Sequence, residues 1–277
     1  MDPGAFEAVD ERLISTLDEL LDQPSLDPGI VVDALFHRLV SSVLSVPEHA
    51  APAVLAALPP SRSPAHFRSV TSAGEHLLER VWARKIAGSP DPAGALARFP
   101  YDENYRLLVD MELEAVRRQG TVPRRVLLLG SGPLPLTALC LAQCGIAVHC
   151  VDHDAEAIEL SAAAFGRLEV EGVTFEHADA ASATPPCPPD VVLLAGLVGS
   201  DDAAKAAVLD KAVAHLAPDG LVLARSARGL RTLLYPPVGP TALAGLSVVA
   251  EAIPELDAPG TDVINSAILA RSGRGAD

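Results

Sequence analysis

No apolar stretch in this chain is long enough to cross a bilayer, although hydrophobic residues make up 49% of its 277 positions. A spanning helix needs about 20 consecutive apolar residues. Here every such run is broken within a turn or two by a charge, a glycine or a proline. The first residues, Met1-Asp2-Pro3-Gly4-Ala5-Phe6-Glu7, are acidic and lack the basic-then-apolar order of a secretory leader, so a cytoplasmic location is expected. Basic residues are also scarce: 21 Lys and Arg stand against 36 Asp and Glu, a net charge of −15. Phosphate backbones and anionic lipids are held by clustered Lys and Arg, so nucleic acid and membrane are not expected as partners. The field mildly favours a small cationic substrate, although solubility explains the charge equally well. Cysteine is limited to Cys140, Cys144, Cys150 and Cys187. All four are read as reduced, buried core residues rather than disulfides or ligands. His149 and His153 have no Cys or His partner at zinc spacing, so no metal is expected; the position of His153 puts it near a cofactor. There is no internal repeat or low-complexity segment, and oligomeric state is not legible, a homodimer being compatible with the sequence.

What is present divides into two halves. Residues 1 to 120 read as helices only. Phe6 to Leu21 carries Val9, Leu13, Leu17, Leu20 and Leu21 on one stripe. Asp27-Pro28 reads as a cap followed by proline at the first helical position, opening a helix to about Val46. Shorter and longer helices follow over about Pro47–Leu58, Phe67–Ala87 and Asn104–Gln119, separated by the loops 59–64 and 88–92. From Arg124 strands and helices alternate: Val126–Leu129, Leu134–Gln143, Ala147–Val151, Ala155–Glu169, Val173–Glu176, then Val191–Leu194, Asp202–Leu216 and Leu221–Ala224. Two late apolar segments lie near Leu246–Ala252 and Val263–Ala270. That alternation predicts an α/β fold with a Rossmann-like sheet, parallel in its main part and covered on both faces, closed by an antiparallel edge pair as in methyltransferase-type sheets. The expected domains are a helical one over 1–120 and a cofactor-binding one over 121–277.

The first strand runs directly into Gly130-Ser131-Gly132-Pro133-Leu134-Pro135. In doubly wound sheets ligands bind outside the carboxyl ends of the strands, and a glycine turn there lets a ligand approach the backbone. Asp152, about 20 residues on at the end of the second strand, suits a ribose hydroxyl pair; it also suits capping of the next helix, as does Asp154. Asp179 follows the third strand, where an adenine amino group would find an acceptor. Ala195-Gly196-Leu197-Val198-Gly199 follows the fourth, with small residues where a ligand needs room. Together these signals point to an adenosine-containing ligand. Pro135 stands where a dinucleotide site has its third glycine, and two prolines remove amides that would face a pyrophosphate. S-adenosylmethionine therefore fits better than a dinucleotide.

These residues resemble the nicotianamine synthases and their bacterial opine-metallophore relatives. The resemblance is carried by Phe99-Pro100-Tyr101 with Asn104-Tyr105, Gly130-Ser131-Gly132-Pro133-Leu134-Pro135, Ala195-Gly196-Leu197-Val198-Gly199, Arg225-Ser226-Ala227-Arg228-Gly229, Leu234-Tyr235-Pro236 and Val263-Ile264-Asn265-Ser266, in family order. It implies a helical N-terminal domain over a methyltransferase-like sheet. It also implies transfer of the aminobutyrate (3-amino-3-carboxypropyl) arm of S-adenosylmethionine, as co-substrate, to an amine, with release of 5′-methylthioadenosine, in metallophore-type biosynthesis. The family often has two adjacent tyrosines after Phe-Pro; here the second position is Asp102, which bears on the acceptor.

Such a reaction needs the methionine γ-carbon presented in line to a nucleophile at roughly 3–3.5 Å, with the methyl shielded and water excluded, a task suited to a helical lid. It also needs a base, because an amino-acid amine is largely protonated near neutrality. Glu75 and Glu79 are one helical turn apart, a repulsive pairing that a substrate ammonium would offset, as would Arg80 or Arg84. The resemblance carries the family's catalytic glutamate to Glu79. Tyr101 and Tyr105 either orient the acceptor or methionine carboxylate or pack in the core. Tyr235 lines the same cavity or simply precedes the Pro236-Pro237 turn. Arg225 and Arg228 are candidates for an acceptor carboxylate, and Asp102 for the acceptor. The rival readings are intramolecular closure to azetidine-2-carboxylate, ordinary methyl transfer, and a module that only binds S-adenosylmethionine.

Overall fold

The computed structural model describes residues 3–254 and 263–273, with side chains from residue 9. Met1 and Asp2, the start of the segment read above against a leader, lie outside the described residues. The chain divides into two compact units, Met1–Val81 with Ala227–Pro237, and Trp82–Ser226 with Val238–Asp277.

The first unit is helical: α1 (Pro3–Leu21), α2 (Ile30–Leu44), α3 (Ala51–Ala57) and most of α4 (Pro64–Gly88), joined by the 3-10 turn Gly229–Leu233. Leu13, Leu17 and Leu20 of α1 and Leu35, Leu39 and Val43 of α2 are buried, as the apolar stripes require. A Cβ on Gly74 of α4 would lie 2.2 Å from Phe36 Cζ of α2, so glycine permits that close packing. The expected cap at Asp27 does not form. Its carboxylate takes the Ser25 hydroxyl at 2.6 Å, and α2 opens after extended Gly29, whose N–H reaches Asp33 Oδ1 at 3.3 Å.

The second unit holds the short α5 (Pro92–Leu96), α6 (Asp102–Arg118), α7 (Leu136–Gln143), α8 (Ala155–Arg167), α9 (Asp202–Ala212) and one seven-stranded sheet. Its strands are β1 (Arg125–Leu129), β2 (Ala147–Asp152), β3 (Val173–His177), β4 (Val191–Leu194), β5 (Leu221–Ser226), β6 (Leu246–Ala252) and β7 (Ser266–Ser272), in the order β3-β2-β1-β4-β5-β7-β6. The first five are parallel; β7 runs antiparallel to β5 and β6, with a register shift between Val248 and Ala250. Strands this apolar must be covered on both faces. Leu127, Leu129, Val192, Leu194, Val222 and Ala224 pack with Val208, Leu209 and Ala212 of α9. Alternate residues such as Val126, Leu128 and Leu193, also buried, point to the opposite face, that of α6, α7 and α8.

The division does not fall at residue 120 as expected. It falls inside α4, because α6 packs against α7, β6 and β7. Leu108, Val109, Leu113 and Val116 of α6 are buried, and its Glu112 receives Arg225 of β5 through Nε at 2.7 Å and a second nitrogen at 2.9 Å, while Thr137 Oγ1 lies 2.9 Å from the same guanidinium. Arg225 is 6% and Glu112 3% exposed.

The cysteine reading is corrected in part. Cys140 and Cys150 are buried, but Cys144 and Cys187 are exposed. Cys144 ends α7 on its solvent side, and Cys187 lies in the proline-rich loop before β4. Burial pushes the Cys140 thiol up to about 11 and raises Cys150 further. An aromatic disulfide reagent should therefore titrate two thiols in the folded protein and four in denaturant; four rapid thiols in the native state would contradict this placement. Removing one partner of a buried ion pair leaves an uncompensated charge, so Glu112→Ala should cost about 3–5 kcal/mol in urea unfolding. A loss under about 1 kcal/mol, the scale of an exposed pair, would show that the pair is solvated.

Candidate functional site

The carboxyl ends of β1, β2 and β4 bring the strongest sequence signals together. Gly130 and Gly132 both adopt positive φ, +78° and +71°, a region open to glycine and strained for other residues. The turn they form is tied to β2. The N–H groups of Gly130 and Ser131 both reach Val151 O, at 2.9 and 3.1 Å. Gly132 N–H donates to Asp152 Oδ2 at 2.8 Å, and Gly132 O accepts from Ser161 Oγ of α8 at 2.9 Å. Three successive amides are thus consumed inside the protein, and Pro133 and Pro135 have none. This turn is not an amide cradle for phosphate, the arrangement of dinucleotide and P-loop sites.

What the turn offers instead is a buried carboxylate and a hydroxyl. Asp152 is 8% exposed. Its Oδ1 accepts from Asp154 N–H at 3.0 Å, and Asp154 in turn caps α8 through Glu156 N–H at 2.9 Å. The question of which aspartate caps is thereby answered by Asp154. A carboxylate has about four acceptor positions, so Asp152 retains capacity for two hydroxyl donors. Ser131 Oγ is buried with no hydrogen-bond partner. A ribose diol fits this donor set and a diphosphate does not. His153 is largely exposed, with Nδ1 3.5 Å from Asp152 Oδ1.

Asp179 lies just after β3 and caps the 3-10 turn Ala180–Ser182, with Oδ1 accepting from Ala181 N–H at 2.8 Å. After β4, Ala195 N–H joins Leu129 O at 3.0 Å and Val198 N–H closes a turn on Ala195 O at 3.1 Å. Leu197 is exposed at the tip. Val198 lies directly against the glycine turn: a Cβ on Gly130 would be 2.1 Å from Val198 Cγ2.

Elsewhere in this unit, Tyr101 precedes α6 and packs edge-on against Phe99 at 6.0 Å, and Phe99 packs edge-on against Trp82 at 5.6 Å. Tyr105 is one turn further, its N–H on Tyr101 O at 3.1 Å. Asp102 opens α6 and pairs with Arg106 Nε at 2.9 Å, an (i, i+4) contact that ties the carboxylate into its own helix. Arg225, expected as a carboxylate ligand, is a correction: its guanidinium is buried and neutralised by Glu112.

In the helical unit, Glu79 of α4 is buried at 8% exposure and Glu75 is half-buried. The Tyr235 hydroxyl donates to Glu75 Oε2 at 2.6 Å, so Tyr235 and Glu75 form one group. Arg228 binds Glu48 through two nitrogens, at 3.0 and 2.7 Å. Arg84 pairs with Glu156 in the other unit, where both belong. Among the described residues, no group of three or more His, Cys, Asp or Glu side chains is arranged to hold a metal ion. No single described helix is long and apolar enough to cross a membrane.

Two residues at the carboxyl edge of the sheet carry no motif in the sequence. Ser161 falls inside the helical pattern of α8, and its hydroxyl braces Gly132 O. Lys205 of α9 is fully buried, with Nζ on Gly196 O at 3.2 Å and Val198 O at 2.6 Å. Burial pushes its ammonium down to about 8, with nearby Asp202 opposing. A signal existed: Lys205, Val208, Leu209 and Ala212 fall at i, i+3, i+4 and i+7, the spacing of a buried stripe.

Fold and turn define a doubly wound α/β protein with a methyltransferase-type sheet and a first turn whose amides are spent inside the protein. The chain matches the family described as "Nicotianamine synthase protein" over residues 4–275. It is 30% identical to nicotianamine synthase 2 of Arabidopsis thaliana, covering 96% of this chain and 84% of that one, and 37% identical to nicotianamine synthase 1 of Oryza sativa subsp. indica, covering 90% and 76%. The crystal structure of a glutamate-to-glutamine mutant of MtNAS in complex with S-adenosylmethionine superposes with a TM-score of 0.78 at 19% identity, covering 95% of this chain and 97% of that chain. MtNAS in complex with MTA and tNA gives 0.77 at 20% identity, covering 97% of each. The chain belongs to the nicotianamine synthase family.

Gly130→Ala should be strongly destabilising, since it combines a positive φ, costing about 1–2 kcal/mol, with displacement of Val198. Thermal unfolding measures this directly. An unchanged midpoint would mean that the turn has another conformation.

Proposed function

We propose that the protein transfers the 3-amino-3-carboxypropyl arm of S-adenosylmethionine to the amine of a small molecule, releasing 5′-methylthioadenosine, as a cytoplasmic step of metallophore-type biosynthesis. The observation that carries this reading is the turn after β1 in a member of this family. Its amides are spent on Val151 O and Asp152, so it suits an adenosyl sulfonium rather than a pyrophosphate.

Asp152 takes the ribose hydroxyls and Ser131 Oγ supplies a nearby donor. Gly130, Gly132 and Pro133 shape the turn that the nucleoside lies against. Asp179 accepts from the adenine amino group through the oxygen not used by Ala181, and Ala195 and Leu197 form the wall on the β4 side. The sulfonium makes three carbons electrophilic. The acceptor nitrogen attacks the γ-carbon of the methionine arm as the Cγ–S bond breaks, and the electron pair stays on sulfur to give a neutral thioether. Glu79 takes the proton that the acceptor ammonium must lose. Tyr101 and Tyr105 orient the acceptor or the methionine carboxylate. Glu75, held by the Tyr235 hydroxyl, adds negative charge for a substrate ammonium, and Asp102 bears on acceptor choice although Arg106 partly neutralises it.

Incubation of the pure protein with S-adenosylmethionine and a panel of amino acids should give 5′-methylthioadenosine; S-adenosylhomocysteine in its place would overturn the reading. Azetidine-2-carboxylate formed without an acceptor would assign the intramolecular reaction. Removing a general base typically costs about 100- to 10,000-fold in turnover. Glu79→Gln should show a loss of that size with an unchanged dissociation constant for S-adenosylmethionine; full turnover would remove Glu79 from the mechanism.

A further inference from the structure

Lys205 is the one fully buried charged side chain among the described residues, and its place in the apolar stripe of α9 would suit a leucine or methionine. A buried ammonium is costly unless its hydrogens are satisfied, so its use must lie in what it binds. It donates to two main-chain carbonyls only two residues apart, Gly196 O and Val198 O, at 3.2 and 2.6 Å. These belong to the segment between β4 and α9. The same segment is fixed at its start by Ala195 N–H on Leu129 O and folded back by Val198 N–H on Ala195 O. Val198 then reaches the glycine turn, where a Cβ on Gly130 would come within 2.1 Å of Val198 Cγ2. The start of α9 is secured separately. Asp201 caps it through Ala204 N–H at 2.9 Å, and Asp202 Oδ1 accepts from Gly239 N–H at 2.8 Å. Lys205 therefore stands on an anchored helix and holds the segment facing the nucleoside turn.

We infer that Lys205 is a positioning residue: by clamping the carbonyls of Gly196 and Val198 it seats Val198 against Gly130 and so shapes the wall against which the adenosyl group binds. This rests on the proposed S-adenosylmethionine chemistry, but its prediction concerns binding rather than turnover. Lys205→Met keeps the aliphatic stem and removes the ammonium; Val198→Ala keeps the clamp and removes the contact with the turn.

Binding of S-adenosylmethionine to wild type and both variants is measured by calorimetry, beside circular dichroism and thermal unfolding of each. Hydrogen bonds from a charged group are among the stronger ones, and their loss here should raise the dissociation constant at least about tenfold in Lys205→Met. The KM for S-adenosylmethionine should rise in parallel, with kcat at saturation within about threefold of wild type. Val198→Ala should show a smaller rise in the same direction. If Lys205 were only structural, the unfolding midpoint would fall while the folded protein bound as tightly as wild type, and that result overturns the inference. Should Lys205→Met fail to fold, unchanged binding by folded Val198→Ala overturns it equally. Wild type that does not bind S-adenosylmethionine at all defeats the proposed function itself, so the two failures are distinguishable.

Discussion

The hydrogen bond from Gly132 N–H to Asp152 Oδ2, at 2.8 Å, is the contact on which the ligand edge of the sheet depends. It fixes the turn after β1 to the last residue of β2 and spends an amide that phosphate-binding turns leave for their ligand. It also holds the carboxylate in a buried position with acceptor capacity to spare. The two N–H groups on Val151 O and the Ser161 hydroxyl on Gly132 O brace the same turn from β2 and α8. The positive φ of both glycines follows from the reversal of the chain within this short span, which side chains with a Cβ resist.

A second set of polar contacts is buried in the sheet unit. Arg225 and Glu112 join β5 to α6, with Thr137 of α7 on the same guanidinium. Pairs of this kind are weak sources of net stability but strongly resist being half removed. Here the pair assigns α6 to the sheet unit and takes up an arginine that the sequence made available to a substrate. Lys205 follows the same logic over a shorter span: a charge in the apolar stripe of α9 is tolerated because two carbonyls of the segment before that helix receive it.

Much of the sheet unit was legible along the chain. Continuous apolar strands such as Val126–Leu129 and Val191–Leu194 have one solution, a parallel sheet buried on both faces, and the spacing from Gly132 to Asp152 is that of one turn, one helix and one strand. Shorter-range signals failed where several local partners compete. Asp27 had a neighbour in Ser25 that took its carboxylate, leaving the start of α2 to Gly29. Residue type alone places Cys144 and Cys187 in the core, whereas their exposure depends on which side of α7 and which part of a loop they occupy.

The fold class, the order of the elements and the family could be read along the chain, because they rest on periodicity, glycine and proline placement and residue spacing, all written in one dimension. Which charges are spent is a property of the folded molecule. Arg225 on Glu112, Arg228 on Glu48, Tyr235 on Glu75 and Lys205 on two carbonyls are each pairings of groups brought together by folding. The energy of a charge depends on its burial and its partners. Periodicity reports the face a side chain occupies and leaves open what lies opposite it.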